Sequence, residues 1–227
     1  MFENDENRGI AIKNGLTCII AAMDVEFFAI INSFGINTID MRKLNGKFDV
    51  VECGNILIAR SGKGKLNAEL CAEVIYKNHR YIAGFISAGT AGAIASDLRV
   101  GDIIAGDAVV EERQGIYEKI SVAGWVIDNA EKQNVRIGEV FCSDKFFNEP
   151  EEKMFLSENT SVICVDMESF GIARFASKKG IPFIPIKAIS DHADGNALRS
   201  LIFCYKEACD KLASYLSERV DFFETVC

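Results

Sequence analysis

Histidine is almost missing from this chain: His79 and His192 are the only two in 227 residues. A His-rich metal centre or a repeated Cys/His finger therefore cannot be assembled. The eight cysteines (Cys18, Cys53, Cys71, Cys142, Cys164, Cys204, Cys209 and Cys227) are scattered and form no CxxC pair. Several sit in apolar runs, where a free cysteine behaves as a small hydrophobe, so neither a disulfide framework nor a metal site is expected. Positive charge is in deficit, with 25 Lys and Arg against 33 Asp and Glu, and the net charge of −8 argues against a nucleic-acid partner. No segment reaches the roughly 18 to 20 uninterrupted apolar residues that span a bilayer. The amino terminus MFENDENRGIAIKNG is polar where a secretory signal would be apolar. These absences point to a cytoplasmic protein without a membrane partner. There is also no Pro/Gly/Ser-rich linker and no internal repeat, which leaves one domain, residues 15–227, behind a flexible leader of residues 1–14.

What the chain does contain is enough apolar material for a substantial core, 49% of residues, arranged as alternating short apolar runs and amphipathic segments. Buried strands are expected at Leu16 to Met23, Tyr81 to Ser87, Ser161 to Val165 and Ile181 to Ile189. Runs at Phe48 to Val51 and Ile56 to Arg60, joined through Cys53-Gly54-Asn55, read as a hairpin. Helices are expected after Asp24, which would act as N-cap with Gly35 as terminator, and over Leu66 to Asn78, Ser121 to Gln133, Met167 to Lys179 and Ala197 to Val220. The run AGTAGAI, Ala88 to Ile94, reads as a small-residue loop, and Gly101-Asp102 as a turn into an extended segment. The alternation indicates an α/β fold: a central mixed, twisted sheet flanked by helices.

Four strand ends deliver polar residues: Asp24 with Glu26, Thr90, Asp166 with Glu168, and Ser190 with Asp191. In α/β sheets ligands bind at the carboxyl edge, so neighbouring strands would gather these groups into one acidic pocket. Carboxylates crowded together titrate as coupled groups, and one that keeps its proton can give it to a leaving group. Each residue also has a structural reading: Asp191 as a cap for the last helix, Glu26 and Glu168 as first-turn helix acids, Met167 as a core filler. The SGKGK segment has neither the Walker spacing nor the third Rossmann glycine, which makes Lys63 and Lys65 a turn and a solvated helix start.

AAMDVE, SAGTAGAIASDLRVGDIIAGD, VDMES and IKAISDHAD, in this order, resemble the purine nucleoside phosphorylase and nucleosidase family, and within it the methylthioadenosine/S-adenosylhomocysteine nucleosidase branch. The likeness runs over most of residues 16–220. It implies a nucleoside phosphorylase-like fold, no cofactor, a small nucleoside substrate and a homodimer. It also implies that Asp191, positioned by Ser190, protonates the purine N7, and that Glu168 binds the ribose hydroxyls against which Met167 packs. Glu26 would activate the attacking water, with Thr90 lining that end of the pocket. Phe146 resembles the aromatic that stacks on adenine, and is equally plausible as a core residue. Phe147 holds the position whose backbone reads the purine edge.

Two departures stand out. Lys187 replaces an arginine that orients the water-activating glutamate, and it keeps the charge without the bidentate fork. Asp166 replaces a glutamate, a change expected to matter little. No arginine occurs from Ala11 through Asp40, and a glutamate there repels a phosphate dianion, so the implied reaction is hydrolysis of an adenine nucleoside. Phosphorolysis using Lys187, Lys63 or Thr90 is the alternative, and a binding or storage protein on the same fold is the second. The stretch from Glu111 to Asp144 is short, which leaves the 5′ substituent open.

Overall fold

The computed structural model describes residues 15–194 and 197–223, with the side chains of 197–203 and 221 excepted. The leader expected over residues 1–14 lies outside the described residues. In chain order the elements are β1 (Leu16–Ala21), α1 (Asp24–Ser33), β2 (Arg42–Leu44), β3 (Phe48–Cys53), β4 (Ile56–Arg60), α2 (Lys65–Asn78), β5 (Ile82–Ala93), β6 (Ile103–Arg113) and β7 (Ile116–Ser121). They continue with α3 (Gly124–Glu131), β8 (Arg136–Cys142), α4 (Pro150–Asn159), β9 (Val162–Asp166), α5 (Ser169–Lys179), β10 (Phe183–Asp191) and α6 (Ala197–Glu218).

All these strands belong to one mixed sheet. Strand β1 lies parallel between β4 and β5, and β3 and β2 extend the open side as antiparallel neighbours. On the other side β5 runs parallel to β10, β10 antiparallel to β6, and β6 parallel to β8, which is parallel to β9. The far end of β5 then pairs with β9 at Gly92 and Ala93, so these five strands close on one another. Closure removes two sheet edges and curls the carboxyl ends of β5, β9 and β10 around a common space.

This corrects the loop expected at Ala88 to Ile94: the small residues continue β5 through Ala93. They are small because the strand passes close to other groups. A Cβ at Gly89 would lie 3.1 Å from the Glu26 carboxylate, and one at Gly92 would lie 2.9 Å from that of Asp191.

The Gly54-Asn55 hairpin is present, with Cys53 opposite Ile56 and Gly54 at φ 60°. A second hairpin, β6 to β7, turns through Gln114 and Gly115, both at positive φ as a type I′ turn requires. Strand β7 therefore occupies residues that precede the expected helix, which shrinks to α3. Met23 rather than Asp24 is the N-cap of α1, and Asp24 in the first turn pairs with Arg60. Helix α1 packs on α6, and α2 on α5, over a core that includes the fully buried Phe27, Phe85 and Phe170. No described helix is long and apolar enough to cross a membrane.

Candidate active site

The ends of β1, β5, β9 and β10 converge on a cavity of about 210 Å³. Glu26, Thr90, Met167, Glu168, Ser190 and Asp191 all line it, with Phe146 at its rim. Strand β10 places Ser190 and Asp191 there because all nine of its residues are buried, and its apolar run fixes the register of the whole strand.

Asp191 is 2% exposed. Its Oδ2 accepts from the Ser190 hydroxyl at 2.7 Å and its Oδ1 from the Ala193 N–H at 2.9 Å, both ahead of α6. Burial raises its pKa above the ordinary aspartate value, and the two donors only partly oppose that. The group is thus biased toward the protonated form.

Glu26 combines both of its readings. It is a first-turn acid of α1 whose Oε2 accepts from the N–H groups of Ala22 and Met23, at 3.2 and 3.0 Å. Its Oε1 faces the cavity wall and accepts from the Thr90 N–H at 2.9 Å and the Thr90 hydroxyl at 3.2 Å. One carboxylate therefore ties the start of α1 to β5.

Glu168 sits at the N-cap position of α5 and accepts from the Gly64 N–H at 2.7 Å. Burial and then the charge of Asp166 raise its pKa to about 7, with Gly64 and Lys187 acting in the opposite sense. The SGKGK segment is thus part of the site. Lys63 lines the cavity, and Lys65, expected at a solvated helix start, is held by Glu111 at 2.6 Å and Asp144 at 3.1 Å.

Two expected site residues are placed elsewhere. Phe147 is 8% exposed, its ring stacks edge-on to Phe141 at 5.9 Å, and it lines a neighbouring cavity of about 740 Å³. Its side chain belongs to a small core with Leu156 and Val165, which leaves only its backbone for any contact with a base. Lys187 does not line the cavity; it bonds Asp166 at 2.8 Å and the Ser87 hydroxyl at 3.0 Å, so its direct partner is Asp166 and not Glu26.

Asp166, expected to matter little, anchors that pair. It also accepts from the backbone N–H and the hydroxyl of Ser169, which starts α5. Burial lowers the Lys187 pKa, but the charge and hydrogen bond of Asp166, together with the charges of Glu168 and Glu26, outweigh it and the net shift is upward. Removing one member of a buried pair strands the other charge, and Lys187→Met is expected to lower unfolding stability by about 3–5 kcal/mol. Chemical denaturation reads this directly, and a loss under about 1 kcal/mol would contradict the pairing.

Tyr205, from α6, was not singled out by sequence and also lines the cavity. Nothing in its neighbours marks it, because its place depends on how α6 crosses the sheet. Among the described residues no cluster of His, Cys, Asp and Glu is arranged to hold a metal ion.

A mixed sheet with a carboxylate-lined cavity at converging strand ends defines an α/β protein of the kind that binds ligands at the carboxyl edge of its sheet. Residues 17–220 match the family model of the phosphorylase superfamily, and the chain belongs to that family. It is 29% identical over 195 residues to the 5′-methylthioadenosine/S-adenosylhomocysteine nucleosidase of Buchnera aphidicola, a match covering 77% of this chain and 81% of that one. To the DeoD-type purine nucleoside phosphorylase of Colwellia psychrerythraea it is 26% identical over 165 residues, 67% of this chain and 70% of that one. The fold is that of the Helicobacter pylori 5′-methylthioadenosine/S-adenosylhomocysteine nucleosidase, with a TM-score of 0.81 over 92% of this chain and 98% of the other at 23% identity.

Proposed function

We propose that this protein hydrolyses the N-glycosidic bond of an adenine nucleoside of the 5′-methylthioadenosine or S-adenosylhomocysteine type, releasing adenine and the ribose moiety. The observation that carries the reading is that Asp191, Glu168 and Glu26 line one small cavity with an aromatic ring at its rim. Asp191, held by Ser190 and raised in pKa by burial, gives its proton to the purine N7. The base, stacked on Phe146, then leaves with the bonding electrons. Glu168 binds the ribose hydroxyls and opposes the positive charge that grows on the sugar, while Met167 packs against the ring. Water attacks the anomeric carbon from the side of Glu26 and Thr90. The same reading takes the protein as a cytoplasmic homodimer, as its resemblance to the nucleosidases implies.

Water is favoured over phosphate because the nucleophile end is built from a glutamate and a threonine, and Lys187 is committed to Asp166. Lys63, a cation on the cavity wall, and the likeness to a DeoD-type phosphorylase stand on the side of phosphorolysis. Incubation with a panel of 5′-substituted adenosines, with and without phosphate, separates the two. Free ribose products at equal rates in both buffers are expected. Turnover that needs phosphate and yields a ribose 1-phosphate would replace hydrolysis with phosphorolysis, and no base release from any nucleoside would remove both.

A further inference from the structure

Helix α6 contributes a polar group to the cavity that none of the roles above uses. The Tyr205 hydroxyl is buried on the cavity wall and makes no hydrogen bond of ordinary geometry, although Glu26 and Cys209 lie near enough to act on it. Buried polar groups are nearly always satisfied, and a phenylalanine would fill the same space without that cost. An orphan hydroxyl on the wall of a ligand cavity therefore calls for a partner that arrives with the ligand or the solvent.

The chemistry of its surroundings identifies that partner. Burial and then the negative charge of Glu26 push the phenol pKa well above its ordinary value, so Tyr205 stays neutral and remains a donor. Glu26 is already occupied by the N–H groups of Ala22, Met23 and Thr90 and by the Thr90 hydroxyl. Of these only the Thr90 hydroxyl can rotate away and yield its place. A water there donates to the freed Glu26 lone pair and has its own lone pairs open, one toward Tyr205 and one toward the sugar.

We propose that Tyr205 is a further catalytic residue, whose hydroxyl donates a hydrogen bond to the attacking water and holds it between Glu26 and the anomeric carbon. The assignment rests on the N-glycosidase reading. In the step, the water oxygen bonds to the anomeric carbon as the bond to the base nitrogen breaks. The electron pair leaves with adenine, Asp191 supplies the proton at N7, and Glu26 takes the proton that the water loses. Tyr205 keeps its own proton throughout.

The test is Tyr205→Phe in the full chain, compared with wild type in aqueous buffer and in buffer containing methanol. Phenylalanine keeps the packing, so thermal stability is expected to hold or rise. With the water no longer held, kcat falls about a hundredfold while KM changes little. The ratio of methyl riboside to free ribose in methanol rises, because a poorly held water competes less well with a foreign nucleophile. An unchanged kcat overturns the assignment, and so does a lower kcat with an unaltered methanol ratio, since a packing defect would produce the first effect without the second. Base release by the wild type is measured first. If it occurs, absence of the expected changes in the variant counts against Tyr205 alone, and if no nucleoside is cleaved the reading of the whole site falls with it.

Discussion

Asp191→Asn is expected to lower kcat by about 10³-fold while leaving nucleoside binding within a few-fold of wild type. The substitution is close to isosteric and the site can absorb it. The Asn oxygen still accepts from the Ala193 N–H, and its amide donates to the Ser190 hydroxyl, which reverses its role from donor to acceptor. What is lost is the transferable proton. An amide still donates a hydrogen bond to N7, so the ligand is held, but the leaving base departs without being neutralised. Ultraviolet absorbance follows adenine release, and equilibrium binding of the same nucleoside gives the other half of the comparison. Near-normal turnover in the variant would show that Asp191 is not the acid. Loss of binding in step with rate would make it a structural residue.

The pH dependence tests the same group from another direction. Because burial raises the Asp191 pKa, the protonated form persists to higher pH than an ordinary aspartate allows. Activity that depends on this proton declines as pH rises through that raised pKa, and the asparagine variant has no such decline.

Asp191 is visible in the sequence because a strand buried on both faces leaves an unbroken apolar run, and a run that stops at Ser190-Asp191 marks its own carboxyl end. Glu26 and Glu168 were visible for the same reason. Each follows a strand closely enough that any parallel arrangement brings it to the same edge. Ser190 and Thr90, which serve Asp191 and Glu26, stand in the same motifs, but two other groups at the site are not visible there. Gly64 reaches Glu168 from a segment 104 positions away, and Tyr205 reaches the cavity from the far end of the chain. Such contacts are set by how helices settle on the sheet, which local periodicity does not encode. The resemblance implies that Lys187 orients Glu26, whereas the structure pairs it with Asp166. A lysine buried to 1% exposure needs the nearest carboxylate able to be buried with it, and Asp166 on β9 is that group. Small residues mark loops and close approaches alike, which is why AGTAGAI reads as a loop although it continues a strand. Here the approach is that of two catalytic candidates to the backbone of a continuous strand.

Glu168→Gln is expected to make the protein more stable and less active, and pH separates the two effects. The wild-type carboxyl has its pKa raised from 4.5 to about 7 by burial and by Asp166. The folded state therefore holds this proton more tightly than the unfolded chain does. That contribution is complete below the unfolded value and is lost as pH rises through about 7, an effect of roughly 3 kcal/mol. The raised pKa of Asp191 acts in the same sense. Glutamine is neutral at every pH and still offers an oxygen to the Gly64 N–H. The variant should match wild type near pH 5 and exceed it in thermal stability near pH 8. For catalysis the sign is opposite. An ionised Glu168 opposes the cationic sugar, so wild-type kcat/KM should fall as pH drops below about 7. The glutamine variant should lack that acid limb, run at least tenfold slower at pH 8, and discriminate less against 2′-deoxy substrates. Equal stability of the two proteins at pH 8 would mean that the carboxyl is not strained by burial. An intact acid limb in the variant would assign that limb to another group. The two outcomes are independent, since the first concerns what burial does to this carboxylate and the second what the sugar needs from it. A site that binds its charge at a cost to folding, and recovers the cost only when a cation forms in front of it, places its electrostatic stabilisation at the transition state.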